Sequence, residues 1–333
     1  MTETTIQNFN AKVSLIEWFD IHRRLLPWRK NSNPYAIWLS EIILQQTRVD
    51  QGLPYWERFM EAFPNVKALA NAPSDQVMAL WAGLGYYSRA RNLHRSAQQV
   101  VNLGDFPRSS SELLLLPGVG PYTAAAIASI CFKERCPALD GNALRVYSRF
   151  FAIADRIDRS STIKIIREKA IHLLDEERPG DSNQAIMDLG SRVCTPNQPK
   201  CPDCPLKTRC EAYRRGTMAS FPVKPAKKAP KSEDWHFQIH QFGKEFALMK
   251  RPDSGIWGGL WCFPILEELT PSLAKELQCG HLLSHRKLRL FFHEKTVSHA
   301  KIDPALQWFT LKELKNLGLP VPIRWWFEEK NYF

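Results

Sequence analysis

Four cysteines, Cys194, Cys201, Cys204 and Cys210, follow the spacing Cys-x6-Cys-x2-Cys-x5-Cys. Four thiolates can close either a tetrahedral zinc site or a cubane iron–sulfur cluster. Zinc ribbons usually pair two Cys-x-x-Cys knuckles, so one central knuckle flanked by wider spacings favours a cluster. Cys131, Cys136, Cys262 and Cys279 lie scattered among apolar neighbours and read as core thiols. Arg192, Lys200, Lys207 and Arg209 surround the clustered four and either solvate the rim or present charge to phosphates.

Two carboxylates stand out by their surroundings. On a helix, the neighbours of Glu41 three and four positions away are Ile37, Trp38, Leu44 and Gln45. That mostly apolar face disfavours ionisation, so the carboxyl either donates a proton near neutral pH or is hydrogen-bonded inside a bundle. Asp140, in Pro137-Ala-Leu-Asp-Gly-Asn142, precedes a helix, where exposed amides and the helix dipole favour the charged form. It is a plain N-cap or an ionic stabiliser. Together the two have environments that push their pKa values apart, the pattern of an acid paired with an anion.

Leu116-Pro-Gly-Val-Gly-Pro-Tyr-Thr-Ala124 joins two helical segments through a tight turn. Without Cβ atoms, Gly118 and Gly120 let backbone N–H groups approach a phosphate, aided by the following helix N-terminus. Such a grip holds a nucleic-acid backbone without reading sequence. Gly83-Leu-Gly-Tyr-Tyr87 adds a glycine corner with two aromatics, either of which could wedge into a base stack or pack in a core. Gln45 and Gln46 offer amides to base edges.

The elements that must carry these groups are helical from about Asn8 to Arg215. Asn33-Pro34 starts a helix expected to reach Thr47, and Ser109-Ser-Ser-Glu112 has the form of a capping box. Further helices are expected near Tyr86–Asn102, Pro121–Ile130, Ala143–Ala152, Thr162–Glu176 and Asn183–Val193. Phe221 to Lys231 mixes prolines and lysines without apolar periodicity and reads as a linker. Beyond it, Trp235–Phe242 alternates apolar and polar residues and turns at Gly243-Lys244 into Glu245–Arg251, a hairpin signal. Leu288–Phe292 and Gln307–Phe309 are further strand candidates, followed by a short helix at Leu311–Leu317. The expectation is an all-α domain over 1–220 with its cysteine loop at 194–210, a linker over 221–232, and a small α+β domain over 233–333.

The whole chain has 333 residues, 44% hydrophobic and 24% charged, which excludes a disordered or collagen-like class. No apolar run reaches membrane-spanning length, and the first residues lack the apolar core of a signal peptide. A soluble intracellular protein is expected, cytoplasmic in a bacterium or nuclear in a eukaryote. The net charge of +11 suits a polyanion partner or a solvated surface equally well.

The hairpin, the Asp140-Gly-Asn142 segment and the four-cysteine loop together resemble the helix-hairpin-helix DNA glycosylases of the endonuclease III superfamily. Trp38-Leu-Ser-Glu-Ile-Ile-Leu-Gln-Gln-Thr47, Gly83-Leu-Gly-Tyr-Tyr87 and Asp188-Leu-Gly190 narrow the resemblance to MutY-type adenine DNA glycosylases. Ser254-Gly-Ile-Trp-Gly-Gly-Leu-Trp-Cys-Phe-Pro264 resembles their Nudix-like domain, although no Nudix box follows, so pyrophosphate hydrolysis is not expected.

The resemblance implies a [4Fe–4S] cluster on Cys194, Cys201, Cys204 and Cys210. It also implies double-stranded DNA with adenine opposite 8-oxoguanine or guanine as substrate, and a monomeric protein. Glu41 would protonate adenine and Asp140 would stabilise the sugar cation, with Tyr122 and Asn142 orienting them. Gly118 and Gly120 would hold phosphate, while Gln46 and Tyr86 would fill the space around the opposing base. Ser284 and His285 would read the oxidised guanine, preceded by Leu283 where the family commonly has Phe. Bifunctional relatives carry a lysine nucleophile at the place of Tyr122, and a tyrosine cannot form a Schiff base. A monofunctional enzyme is therefore expected. The competing readings are another glycosylase of the superfamily and a non-catalytic DNA-binding scaffold.

Overall fold

The computed structural model describes residues 10–226, 229–266, 277–283, 286–296 and 303–333. Ser284 and His285 lie outside the described residues. The chain forms two compact units, each built from two stretches: Met1–Gln45 with Gln99–Ala226, and Gln46–Gln98 with Lys227–Phe333.

The first unit is helical, and its helices start where side chains can cap them. Asn33 accepts from the N–H groups of Tyr35 and Ala36 to open helix Pro34–Ile43, with Pro34 in the first turn where no N–H is needed. Ser109 and Glu112 make the expected capping box. Helix Pro121–Phe132 buries Thr123, Ala124, Ala125, Ala126, Ala128 and Ser129, small residues that let neighbouring backbones come close. Its neighbour Pro179–Arg192 uses that room: a Cβ on Gly180 would lie 2.6 Å from Ile130 Cα. Leu15, Phe19, Tyr147, Ile166, Ala185 and Leu189 form a core against which Cys194, Cys204 and Cys210 pack. Each large apolar side chain there contributes about 1.5–3 kcal/mol on leaving water.

Two helices end earlier than their periodicity suggests. The Asn33-capped helix stops at Ile43 rather than Thr47, and Gln46 takes φ 58°, so the glutamine pair lies in a turn. Helix Ser160–Ala170 passes into a 3-10 turn, Ile171–Leu173, instead of running to Glu176. There Asp175 Oδ1 accepts from the N–H groups of Glu177 and Arg178, a local bond that competes with helix continuation.

In the second unit, helices Val49–Ala62, Val66–Asn71 and Ser74–Leu80 accompany a mixed sheet. Its strands are β1 Lys231–Phe242, β2 Glu245–Lys250, β3 Trp261–Cys262, β4 Leu277–Leu282, β5 Arg286–Thr296 and β6 Gln307–Thr310. The order is β3-β2-β1-β5-β4, with β6 on β2. The expected hairpin is β1–β2, with Phe242 opposite Glu245 and Gly243 at φ 57°. β1 and β5 run parallel. Phe246, Phe263, Phe292, Trp326 and Phe327 fill the space between sheet and helix Val321–Glu329. Among the described residues no helix is long and apolar enough to cross a membrane.

Gly180→Ala is expected to lower the melting temperature, because overpacking a tight backbone contact costs about 1–3 kcal/mol. Thermal denaturation checks it; an unchanged midpoint would mean that the two helices separate freely.

Candidate active site

Helix Pro34–Ile43 presents Glu41 among buried neighbours, and the carboxyl keeps only partial access to solvent. Tyr122, one residue into helix Pro121–Phe132, donates its hydroxyl to Glu41 Oε2 at 2.7 Å and lies 3.6 Å from Met187 Sδ. Burial is the main force on Glu41 and pushes its pKa up to about 7. The Tyr122 hydrogen bond opposes that rise, the negative charge of Asp140 adds to it, and the Arg29 guanidinium pulls it down. The result is a carboxylic acid that can still hold its proton at neutral pH.

Asp140 is the N-cap of helix Gly141–Phe150, with Oδ1 accepting from Ala143 N–H at 2.6 Å. Asn142 Nδ2 donates to its other oxygen at 2.8 Å. Asn142 is itself held: Arg145 donates to its Oδ1 at 2.8 Å, and the same guanidinium reaches Gly190 O at 2.7 Å and Cys194 O at 2.8 Å. Gly190 must be glycine, since a Cβ would stand 2.7 Å from Asn142 Cβ. The sequence motif Asp188-Leu-Gly190 thus has a packing reason.

The four clustered cysteines line one cavity with Val146, Phe150, Leu189 and Arg149. Burial pushes the thiols of Cys204, Cys201 and Cys210 up, Cys204 to about 12. Arg149 is 2% exposed, yet among the described residues it has no carboxylate partner. It donates to Thr195 O at 2.7 Å, Pro196 O at 2.8 Å and Met218 O at 3.0 Å, and approaches Cys194 Sγ at 3.4 Å. Backbone carbonyls satisfy this buried cation, so its positive charge stays beside the cysteines. No three His, Cys, Asp or Glu side chains among the described residues converge to hold a single ion.

Gly118 takes φ 75° and Gly120 caps helix Pro121–Phe132 without a side chain. The turn closes through Val119 N–H to Leu116 O, and among the described residues nothing fills the Cβ position of Gly120. In the second unit the Gly83 corner separates its two tyrosines. Tyr87 is buried and accepts from Gly83 N–H at 3.3 Å, whereas Tyr86 is 46% exposed at φ 47°. Of the pair, Tyr87 is the core residue and Tyr86 is free to meet a ligand. A Cβ at Gly83 would fall 2.4 Å from Tyr55 Oη. Beside this corner opens a cleft of about 840 Å³ lined by Tyr86, Arg91, Trp235, Arg251, Trp257 and His281, among others.

One functional network escaped the sequence. Asp188, fully buried, accepts from Arg29 NH1 at 2.7 Å and Arg24 Nε at 2.8 Å, and these two cations hold its carboxyl below its ordinary range despite burial. The bonds fix Arg29, whose charge acts on Glu41. The arginines and the aspartate are more than 150 residues apart, so no local spacing announces them.

Residues 39–171 match the model of the HhH-GPD superfamily of base excision DNA repair proteins, and residues 236–329 match the NUDIX domain. The chain is 32% identical to the adenine DNA glycosylase of Buchnera aphidicola subsp. Schizaphis graminum, over 93% of this chain and 95% of that protein. It is 34% identical to the adenine DNA glycosylase of Homo sapiens, over 95% of this chain and 70% of that one. Among solved structures, a thermostable thymine-DNA glycosylase superposes with a TM-score of 0.55 at 27% identity, over 61% of this chain and 95% of that one. A non-covalent endonuclease III–DNA complex shares the fold, at a TM-score of 0.52 and 21% identity over 65% of this chain and 98% of that one.

The raised pKa of Glu41 has a consequence for stability. Between its ordinary value of 4.5 and about 7, the unfolded chain ionises Glu41 while the folded protein keeps it neutral. Glu41→Gln removes that penalty. Its stability gain over wild type should grow with pH through this window and level off above it, in denaturant melts run at a series of pH values. A gain independent of pH would place the proton elsewhere.

Proposed function

The chain belongs to the adenine DNA glycosylase family, and on that premise we propose that it releases adenine by acid-assisted hydrolysis and leaves the DNA strand uncut. The observation that carries this reading is the desolvated Glu41 carboxyl, bonded to Tyr122 and raised to about 7 within the electrostatic reach of Asp140. A deoxyadenosine has a poor leaving group. A proton from Glu41 to adenine N7 lets the electron pair of the C1′–N9 bond depart with the base as neutral adenine. The sugar then develops oxocarbenium character, and the Asp140 carboxylate stabilises that positive charge until water adds at C1′ and gives a proton back to the Glu41 carboxylate. Asn142 holds Asp140 from one side, and the Ala143 N–H from the other. Tyr122 stands where a lysine nucleophile would be needed for strand cleavage and instead orients Glu41.

The base must leave the stack first, at a cost of a few kcal/mol that is lowest at a mismatch. In this reading Gly118 and Gly120 present amides to the phosphate chain, and Gln46 and Tyr86 occupy the space around the opposing base. The substrate is adenine opposite 8-oxoguanine or guanine in duplex DNA, met by a monomer. Ser284 and His285 complete the contacts to the oxidised guanine, and the cleft beside Tyr86 receives that base.

The spacing of the four cysteines, one central knuckle flanked by wider gaps, suits a [4Fe–4S] cluster better than zinc. Cys194, Cys201, Cys204 and Cys210 would hold it, and Arg149 would supply buried positive charge against the thiolates. Bound there, the cluster supplies iron–thiolate bonds that close the 194–210 loop. The loop's own cations then lie at the protein surface.

Glu41→Gln should abolish adenine release from duplexes with adenine opposite 8-oxoguanine or guanine, while DNA binding in a gel-shift assay persists. Strand breaks should form only after alkali treatment of the product. Breaks without alkali would overturn the monofunctional assignment, and undiminished turnover by Glu41→Gln would remove that residue from its role. Cys204→Ser should lose bound iron by elemental analysis; stoichiometric zinc in the wild-type protein would reverse the cofactor assignment.

A further inference from the structure

The cleft beside Tyr86 has one wall made by a loop that is not held by its own sequence alone. Pro252 to Gly259 folds back so tightly that a Cβ on Gly258 would stand 2.7 Å from Asp253 O. Gly255 and Gly259 take φ 81° and 73°, and Trp257 is forced to φ 55°, a conformation that a bulky side chain adopts only when its surroundings impose it. Trp257 is 8% exposed, packs edge-on against Trp235 at 5.3 Å and lies 5.6 Å from His281. All three aromatic residues line the cleft.

Two arginines impose this shape. Arg251, at the loop's root, donates to Ile256 O at 3.0 Å and lies over the Trp235 ring. The other comes from far along the chain. Arg91, in the first turn of helix Ser88–Leu103, donates one N–H to Gly258 O and another to Asp253 O at 2.7 Å. That helix starts directly after Tyr86 and Tyr87, so its first turn is rigidly continuous with the glycine corner. The guanidinium fork therefore spans the two sides of the cleft's mouth.

We propose that Arg91 is a positioning residue for selectivity toward the base opposite adenine: its two bonds tie the 253–258 loop to the Gly83–Tyr87 corner and set the width of the cleft. The inference rests on the reading that this cleft receives that base. A width fixed by bonds to backbone carbonyls discriminates by shape. A planar oxidised purine held between Tyr86 and the Trp257 wall is favoured only while the wall stays in place. Arg91 itself need not touch the base. Arg91 reaches the two carbonyls through two separate terminal nitrogens, whereas a lysine brings a single nitrogen on a shorter stem.

The test is single-turnover excision of adenine opposite 8-oxoguanine and opposite guanine by wild type, Arg91→Leu, Arg91→Lys, Gly258→Ala and the Arg91→Leu/Gly258→Ala pair. Losing a charged hydrogen bond that holds the wall should reduce the preference for 8-oxoguanine over guanine by about tenfold. Arg91→Lys should not restore the preference. Gly258→Ala should reproduce the loss from the loop side, and the double variant should be no worse than either single one. Thermal melts of each variant separate this from unfolding, and Gly258→Ala carries the test if Arg91→Leu does not fold. Three outcomes overturn the proposal: an unchanged preference, additive losses, or an equal fall on both duplexes with a shallower salt dependence, which marks a phosphate contact. A wild type with no preference between the two duplexes refutes instead the reading of the cleft, and the proposal with it.

Discussion

The hydrogen bond from Tyr122 to Glu41, made inside a desolvated pocket, is the interaction on which the rest of the structure depends. Burial alone would leave Glu41 so reluctant to ionise that it could not give up its proton. A set of donors strong enough to overcome burial would leave it ionised and useless as an acid. The protein sets burial and Asp140 against Tyr122 and Arg29, and the balance falls at about 7. Arg29 can play its part without overwhelming the acid because its guanidinium is shared with Asp188, where Arg24 also binds. The Glu41 carboxyl is thereby kept able to hold its proton close to neutral pH.

Helix Gly141–Phe150 connects this chemistry to the cysteine loop. Asp140 caps it, Asn142 and Arg145 follow on one side, and Arg149 ends in the cavity that the cysteines line. Arg145 bonds both Asn142 and the carbonyl of Cys194. A disturbance at the Cys194 carbonyl therefore reaches the Asp140 carboxylate through two side chains, Arg145 and Asn142. The glycines at 180 and 190 serve the same end, because each permits a backbone contact that fixes helix Pro179–Arg192, and with it Met187 and Asp188, against helices Pro121–Phe132 and Gly141–Phe150.

Much of this was legible in the sequence where the cause is local. Asn33-Pro34 and Ser109–Glu112 announce helix starts because caps act over three or four residues. The cysteine spacing and the Leu116–Ala124 turn carry their chemistry within short windows, and the apolar flanks of Glu41 reveal its burial. What stayed hidden is long-range. The choice between Tyr86 and Tyr87 is made by the backbone turn at Gly83, and the Arg24–Asp188–Arg29 network joins residues that no periodicity relates. The early end at Ile43, with Gln46 in a left-handed turn, overrides an apolar and helical pattern that continues to Thr47. Likewise, residues 46–98 pack into a unit with the C-terminal sheet although composition shifts only at the linker.

The central claim is that a neutral Glu41 carboxyl delivers the proton. Single-turnover adenine release, measured as a function of pH with duplex in saturating excess, addresses it most directly. The rate should fall as pH rises through about 7, tracking the loss of the proton from Glu41. In Tyr122→Phe, which lacks the bond that holds that pKa down, the falling limb should move to higher pH. A rate that rises through neutrality, or a limb that ignores the loss of the Tyr122 hydroxyl, would contradict the account.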